Sequence, residues 1–123
     1  MPRYFTTEHE WIQVDGTTGR VGITDYAQGQ LGDITFVDVP AVGAVLAPGQ
    51  SAAVVDSVKA ASDIYAPVAG TVIAVNDALV DAPELVNTAP ESDGWLWTME
   101  LSDPGALSAL MDEAGYAALL ADL

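Results

Sequence analysis

The sequence predicts a mainly β fold, a flattened barrel or sandwich with short helices and a helical C-terminus. Three observations support this prediction. Eight short runs are rich in the apolar and β-branched residues that strands favour. Glycine, proline and aspartate separate several of these runs, and apolar residues recur at helical spacing near the C-terminus. Short strands followed by helices are typical of a layered β domain.

The first two strand runs are joined by residues 15–19, a glycine-containing loop that predicts a hairpin. Alternation in the third run predicts that Ile34 and Phe36 share one face, with Val37 on the other. The dipeptide at 48–49, Pro-Gly, predicts a turn. The eight predicted strands are residues 11–14, 20–24, 33–39, 44–46, 51–58, 62–66, 70–75 and 95–101.

Helical segments are predicted from caps and from apolar spacing. Pro104 fits the first turn of a helix, where its missing N–H is not needed. The segments are a helix begun by Thr24 or Asp25 and ended by Gly32, a helical turn within residues 76–87, a helix from Pro104 through Leu107, Leu110 and Met111, and a helical run at residues 116–120.

The composition indicates one domain, residues 1–123, and excludes several functions. The chain has 18 Asp and Glu residues and three Lys and Arg residues, so its formal net charge is −15. Nucleic-acid binding depends on Lys and Arg, so it is excluded, and docking on an anionic membrane is disfavoured. A salt-adapted source and a basic partner both remain open as reasons for the charge. The absence of cysteine excludes disulfides and thiolate chemistry. The first residues resemble neither a signal nor a transit peptide, so a cytoplasmic location is expected.

The only lysine of the chain, Lys59, lies in the stretch DSVKAASD. A strand-like run lies on each side of Lys59. Pro48-Gly49 precedes it by about ten residues and Gly70 follows it by eleven, so Lys59 is expected at the tip of a hairpin. An exposed amine on a long stem suits acylation by another enzyme. Neighbouring acids favour the charged amine, which argues against a Schiff-base lysine. The residues alone leave an ordinary solvated turn lysine open.

The segment DSVKAASDIYAPVAGTVIAVNDALVDAPELVN resembles the lipoyl-attachment segment of glycine cleavage system H proteins. Three further segments resemble that family in the same order: TTEHEWI, VGITDYAQGQLGDITFVDVPAVG and DGWLWTMELSDP. The departures are Asp56 where the family has Glu, Ala69 where Ser is common, and a different turn at residues 90–93. None of them involves the lysine.

The resemblance implies a lipoyl/biotinyl-like barrel-sandwich hybrid, with a hairpin core at about residues 33–101 and C-terminal helices at about 104–122. It implies that Lys59 carries lipoate as N6-lipoyllysine. The protein would then shuttle the aminomethyl group of glycine from the PLP-dependent glycine decarboxylase (P protein) to the folate-dependent aminomethyltransferase (T protein). Electrons would pass to dihydrolipoamide dehydrogenase (L protein), and a lipoate ligase or octanoyltransferase would attach the cofactor. Such a protein is a non-catalytic, monomeric carrier.

The resemblance also implies a cleft for the loaded arm, whose amine is cationic. Glu10 and Asp63 match the acids that line this cleft in the family, and Glu8 is a weaker candidate. Ala27 and Leu31 could pack against the arm. The single histidine, His9, is expected to have a structural or surface role. The three tryptophans are expected to be core and sheet residues, and no spacing indicates a metal site.

Four alternatives remain open. A biotin carrier typically presents Met-Lys-Met, which Val58-Lys59-Ala60 does not match. The lipoyl domain of a 2-oxoacid dehydrogenase acyltransferase lacks the N-terminal block and the C-terminal helices. The sequence does not distinguish a glycine cleavage carrier from a relay protein that donates lipoyl or octanoyl groups to other enzymes. The fourth is an enzyme acting through His9 and nearby acids.

Overall fold

A computed structural model describes residues 2–123, so Met1 lies outside the described residues. Within them, nine strands form two antiparallel sheets, which confirms the mainly β prediction. One sheet has six strands in the order β1-β2-β3-β9-β8-β5, and the other has three in the order β4-β6-β7. The strands are β1 Arg3–Phe5, β2 Glu10–Asp15, β3 Thr18–Ile23, β4 Ile34–Asp38, β5 Val45–Leu46, β6 Ser51–Ser57, β7 Ala61–Tyr65, β8 Gly70–Val75 and β9 Trp97–Leu101.

The helices are short and lie around the sheets. Thr24 caps α1, its side chain accepting from the N–H of Ala27, and Gly32 ends the helix at φ 81°, as predicted. Asp112 caps the last helix in the same way as Thr24, through the N–H of Gly115. The helices are α1 Asp25–Leu31, α2 Ala78–Asp81, α3 Leu85–Thr88, a 3₁₀ helix Pro104–Ala109, and α4 Glu113–Ala121.

The segment after Pro104 is shorter and tighter than the predicted helix. It is a 3₁₀ helix that ends before Leu110, and Met111 leaves it to pair with β1. The N–H of Phe5 donates to the carbonyl of Met111 at 2.7 Å, and the N–H of Met111 donates back at 2.9 Å. This backbone pairing with β1 competes with continuation of the helix.

A β-bulge overturns the predicted alternation in β4. The register shifts between Ile34 and Phe36, so Ile34 and Val37 both face the core while Phe36 is exposed. The extra residue reverses the side on which the strand's later side chains lie. The prediction that Ile34 and Phe36 share a face is therefore wrong.

The hydrophobic core lies between the two sheets. One continuous cluster contains most buried side chains of the two sheets together with those of α2, α3 and the 3₁₀ helix. Trp97 is fully buried within it, and Trp11 belongs to a second cluster under α4, so both are structural as expected. Trp95 is only half-buried and carries the guanidinium of Arg20 on its ring, 4.6 Å from the centroid.

Candidate functional site

Lys59 lies in the turn between β6 and β7, so its predicted position at the tip of a hairpin is confirmed. The hydroxyl oxygen of Ser57 accepts hydrogen bonds from the N–H groups of Lys59 and Ala60, both at 3.2 Å. The N–H of Val58 donates to the carbonyl of Asp33 at 3.0 Å, which ties the turn to the start of β4. The backbone under the lysine is thus held in place while the lysine side chain is exposed.

The amine of Lys59 lies over the C-terminal end of α1. Its Nζ donates to the carbonyl of Gln30 at 3.5 Å. A Cβ on Gly32 would lie 3.4 Å from the Cε of Lys59, an ordinary van der Waals contact, so it is the φ of 81° that favours glycine at this position. The partial negative charge of the last helical carbonyls favours a cation there. This contact is long and exposed, so it leaves the amine accessible to a modifying enzyme.

A groove of about 160 Å³ opens beside the lysine, between α1, β7 and the residues before β2. Gln30, whose carbonyl meets the lysine amine, is part of its wall. Its lining residues are Glu8, His9, Ile23, Tyr26, Ala27, Gln30, Leu31, Ser62, Asp63 and Ile64. The groove therefore combines apolar side chains with carboxylates, and it includes Asp63, Ala27 and Leu31 from the sequence prediction.

The structure places Glu10 in a different cavity. This carboxylate begins β2 and is only 2% exposed. One of its oxygens accepts from the N–H of Tyr65 at 2.8 Å, and the other accepts from the hydroxyl of Thr6 at 2.9 Å. It lines a neighbouring cavity of about 350 Å³. Glu8, the weaker candidate, lines both cavities and is thus the acid that connects them.

Burial is the main influence on the charge of Glu10. Desolvation raises the pKa of its carboxyl above the ordinary 4.5, and the nearby charge of Glu8 raises it further. The hydrogen bonds from Tyr65 and Thr6 lower the pKa and offset part of this effect. Glu10 therefore resembles a structural buried acid more than a solvated surface acid.

His9 forms part of the groove wall and is held from behind by the C-terminal helix. Its backbone has φ 66°, a conformation that residues other than glycine rarely adopt. Its Nδ1 lies 2.8 Å from the hydroxyl of Tyr116, which also lies 2.7 Å from the Oγ1 of Thr24. Sequence reasoning missed Tyr116 and Thr24 at this site, because no motif links position 116 to position 9.

Metal binding and membrane spanning find no support in the described part of the chain. Residues 2–123 contain no group of three or more His, Asp or Glu side chains placed to hold a metal ion. None of the described helices combines the length and apolar character needed to cross a membrane.

Comparison with known proteins gives a consistent result. The family model for the glycine cleavage H-protein matches residues 3–123. The chain is 56% identical over 117 residues to the glycine cleavage system H protein of Bartonella tribocorum, covering 95% of this chain and 96% of that one. It is 57% identical over 119 residues to the H protein of Paramagnetospirillum magneticum, covering 97% and 95% respectively.

A solved structure matches the fold over the same length. The crystal structure of a glycine cleavage system H protein from Mycobacterium marinum superposes with a TM-score of 0.89 at 36% sequence identity. The match covers 98% of this chain and 97% of the other. The two-sheet arrangement described above is therefore shared with that H protein.

Proposed function

The chain belongs to the glycine cleavage H-protein family, and on that premise we propose that Lys59 is the residue that bears its lipoyl group. As a member of this family it is a lipoyl carrier of the glycine cleavage system. It works with the P, T and L proteins of that system, the glycine decarboxylase, the aminomethyltransferase and dihydrolipoamide dehydrogenase.

The observation that carries the proposal is the position of the only lysine. Lys59 is exposed on a hydrogen-bonded turn, next to a groove with an apolar wall formed by Ala27, Leu31 and Ile64. An acyl arm joined to the amine by an amide bond would find a rigid base and an apolar surface within reach. The residues present therefore fit a lipoyl group. When bound, lipoate supplies a dithiolane that accepts the aminomethyl group and later passes electrons to the dehydrogenase.

The groove residues have separate tasks in this proposal. Ala27, Leu31 and Ile64 pack against the arm and keep water from one side of it. The carboxylates of Asp63 and Glu8 attract the cationic amine at the end of the loaded arm. Glu10 acts from the neighbouring cavity, where it fixes the end of β7 through the N–H of Tyr65.

Several finer features also belong to the proposal. The linkage is N6-lipoyllysine, made by a lipoate ligase or an octanoyltransferase. The protein works as a monomer in the cytoplasm, and it has no catalytic residues of its own. The single domain 1–123, with its hairpin core and C-terminal helices, is the working unit. Membership of the H-protein family sets aside the biotin-carrier and acyltransferase alternatives. Donation of the lipoyl group from this chain to other enzymes stays a second prediction.

The proposal is tested by exchanging the lysine for arginine. Lys59→Arg keeps the positive charge but cannot be acylated, so the fold should be retained and loading lost. The assay is the release of labelled carbon dioxide from carboxyl-labelled glycine by the decarboxylase, with each protein first treated with lipoate ligase. We expect at least a hundredfold lower rate with Lys59→Arg. A variant that supports the wild-type rate would refute Lys59 as the carrier residue.

A further inference from the structure

Two large apolar side chains near Lys59 remain exposed. Phe36 on β4 is 55% exposed and Val58, next to the lysine, is 67% exposed, whereas the other phenylalanine, Phe5, is 4% exposed. Burying an apolar side chain of this size normally stabilises the folded protein. The fold forgoes that stabilisation at Phe36, because the β4 bulge turns this side chain outward.

Both side chains lie at the end of the three-stranded sheet that carries the lysine. Ile34 pairs with Ser57 and Phe36 pairs with Asp56, so Phe36 lies on the strand beside the one leading to the turn. At about 3.3 Å per residue along a strand, Phe36 is within roughly 15 Å of Lys59. Val58 immediately precedes the lysine in the turn.

An enzyme that acylates Lys59 must place its active site over the turn. A standard protein interface buries about 800 Å² on each partner, which corresponds to a patch of roughly 16 Å radius. A patch of that size centred on Lys59 includes both Phe36 and Val58. The lysine amine is the reacting atom for this enzyme, whereas the other enzymes of the system react with the dithiolane at the far end of the arm.

Acidic residues define the chemistry of the partner. Asp33 and Asp38 are exposed at the two ends of β4, and Asp56 is half-buried beside Phe36. Both arginines of the chain lie elsewhere, on β1 and β3 of the other sheet. A complementary enzyme surface therefore has an apolar pocket rimmed by Lys and Arg.

We propose that Phe36 and Val58 form the docking surface for the enzyme that acylates Lys59, and that this enzyme presents an apolar pocket with a basic rim. This inference rests on the proposed function of Lys59. Phe36 is the larger of the two exposed side chains, and aromatic residues are enriched in protein interfaces, so its loss should weaken binding more than the loss of Val58.

The test is the steady-state rate of lipoylation of the full chain by a lipoate ligase, with lipoate and ATP saturating. Phe36→Ser should raise the KM for the carrier protein about tenfold and leave kcat unchanged, whereas Phe36→Leu should retain most of the affinity. Val58→Thr should raise the KM by a smaller factor. The matched controls are Val45→Ser and Ile73→Ser, which remove exposed apolar side chains from the other sheet and should keep the wild-type KM. Thermal unfolding confirms that each variant is folded.

The outcomes separate this inference from the proposed function. A wild-type protein that is never acylated overturns both. A wild-type protein that is acylated normally, with Phe36→Ser at the same KM, overturns only the docking surface. A defect of Phe36→Ser that is confined to the decarboxylase step also overturns it, because the surface would then belong to a different partner.

Discussion

Asp63 is one of two exposed carboxylates of the groove beside Lys59, the other being Glu8, and its charge can be removed with little change in shape. Its Oδ1 accepts from the hydroxyl of Ser51 at 3.2 Å, a bond that an asparagine oxygen can also accept. Asp63→Asn should leave lipoylation intact and shorten the lifetime of the loaded protein. Attractions between exposed charges contribute about 0.2–1 kcal/mol, so a change of roughly 1.5- to 5-fold is expected.

The measurement is the rate at which the loaded protein releases ammonia in buffer without the aminomethyltransferase. Asp15→Asn, at the exposed end of β2, is the control for loss of one negative charge. Equal lifetimes for Asp63→Asn and wild type would show that the carboxylate of Asp63 does not hold the loaded arm in the groove.

A second prediction concerns the contribution of Glu10 to the stability of the fold at different pH values. Desolvation raises its pKa in the folded protein above 4.5, so the folded state binds this proton more tightly than the unfolded chain does. Its contribution to stability is present below pH 4.5 and is lost as the pH rises through the folded-state pKa. Glu10→Gln removes that ionisation and can still bond to Tyr65 and Thr6. The wild type should therefore lose stability relative to Glu10→Gln as the pH rises from about 4 to 7.

Urea unfolding of both proteins at several pH values measures this difference. A wild type that gains stability relative to the variant over the same range would show that the hydrogen bonds outweigh burial and that the pKa is lowered.

The residues of the candidate site could be predicted from sequence to different degrees. Lys59 and Asp63 could be proposed because they lie in one contiguous motif. The burial of Glu10 could not be predicted, because its partner Tyr65 lies 55 positions away. The contact between His9 and Tyr116 spans 107 positions, and neither residue type indicates it. Local sequence patterns thus indicated which residues have suitable chemistry. Packing between distant parts of the chain determined which side chains are in contact.

Among the elements, α4 is connected to the groove by one side chain. The ring of Tyr116 stacks on Phe5 with centroids 4.6 Å apart, and its hydroxyl bonds to His9 and Thr24. Tyr116→Phe keeps the stacking and removes both hydrogen bonds. The free energy of unfolding should fall by about 1–3 kcal/mol, because buried partners lose their bonds.

Urea unfolding at neutral pH tests this prediction. Tyr4→Phe on β1 is the control for loss of a tyrosine hydroxyl and should have a smaller effect. Equal losses for the two variants would contradict a specific role for the Tyr116 hydroxyl.

The elements that sequence patterns missed are those set by a neighbour in space. The three residues of β1, Arg3–Phe5, are too few to show alternation, and they are a strand only because β2 pairs with them. The β4 bulge depends on its register with β6. The longer strands and α1 were predictable, since their apolar periods, caps and turn residues are local.

At the scale of the whole molecule, the net charge is −15, and few of the acidic side chains described take part in ion pairs. Arg3 and Glu91 form the one ion pair found among residues 2–123, at 3.2 Å. Salt therefore screens mostly repulsion, which destabilises the compact state. Raising NaCl from about 10 to 300 mM should raise Tm by several degrees, roughly 2–8 °C. Calorimetry at constant pH measures this, and a fall in Tm would show that attractive charge pairs dominate.

The central claim is that Lys59, on its hairpin, is the amine that receives the lipoyl group. The most direct test is the intact mass and peptide map of the chain produced together with a lipoate ligase and lipoate. The wild type should gain one lipoyl group, located on Lys59. The double variant Lys59→Arg with Arg20→Lys, whose only lysine lies on the other sheet, should gain none. An unmodified wild type, or a lipoyl group at any other position, would contradict the account.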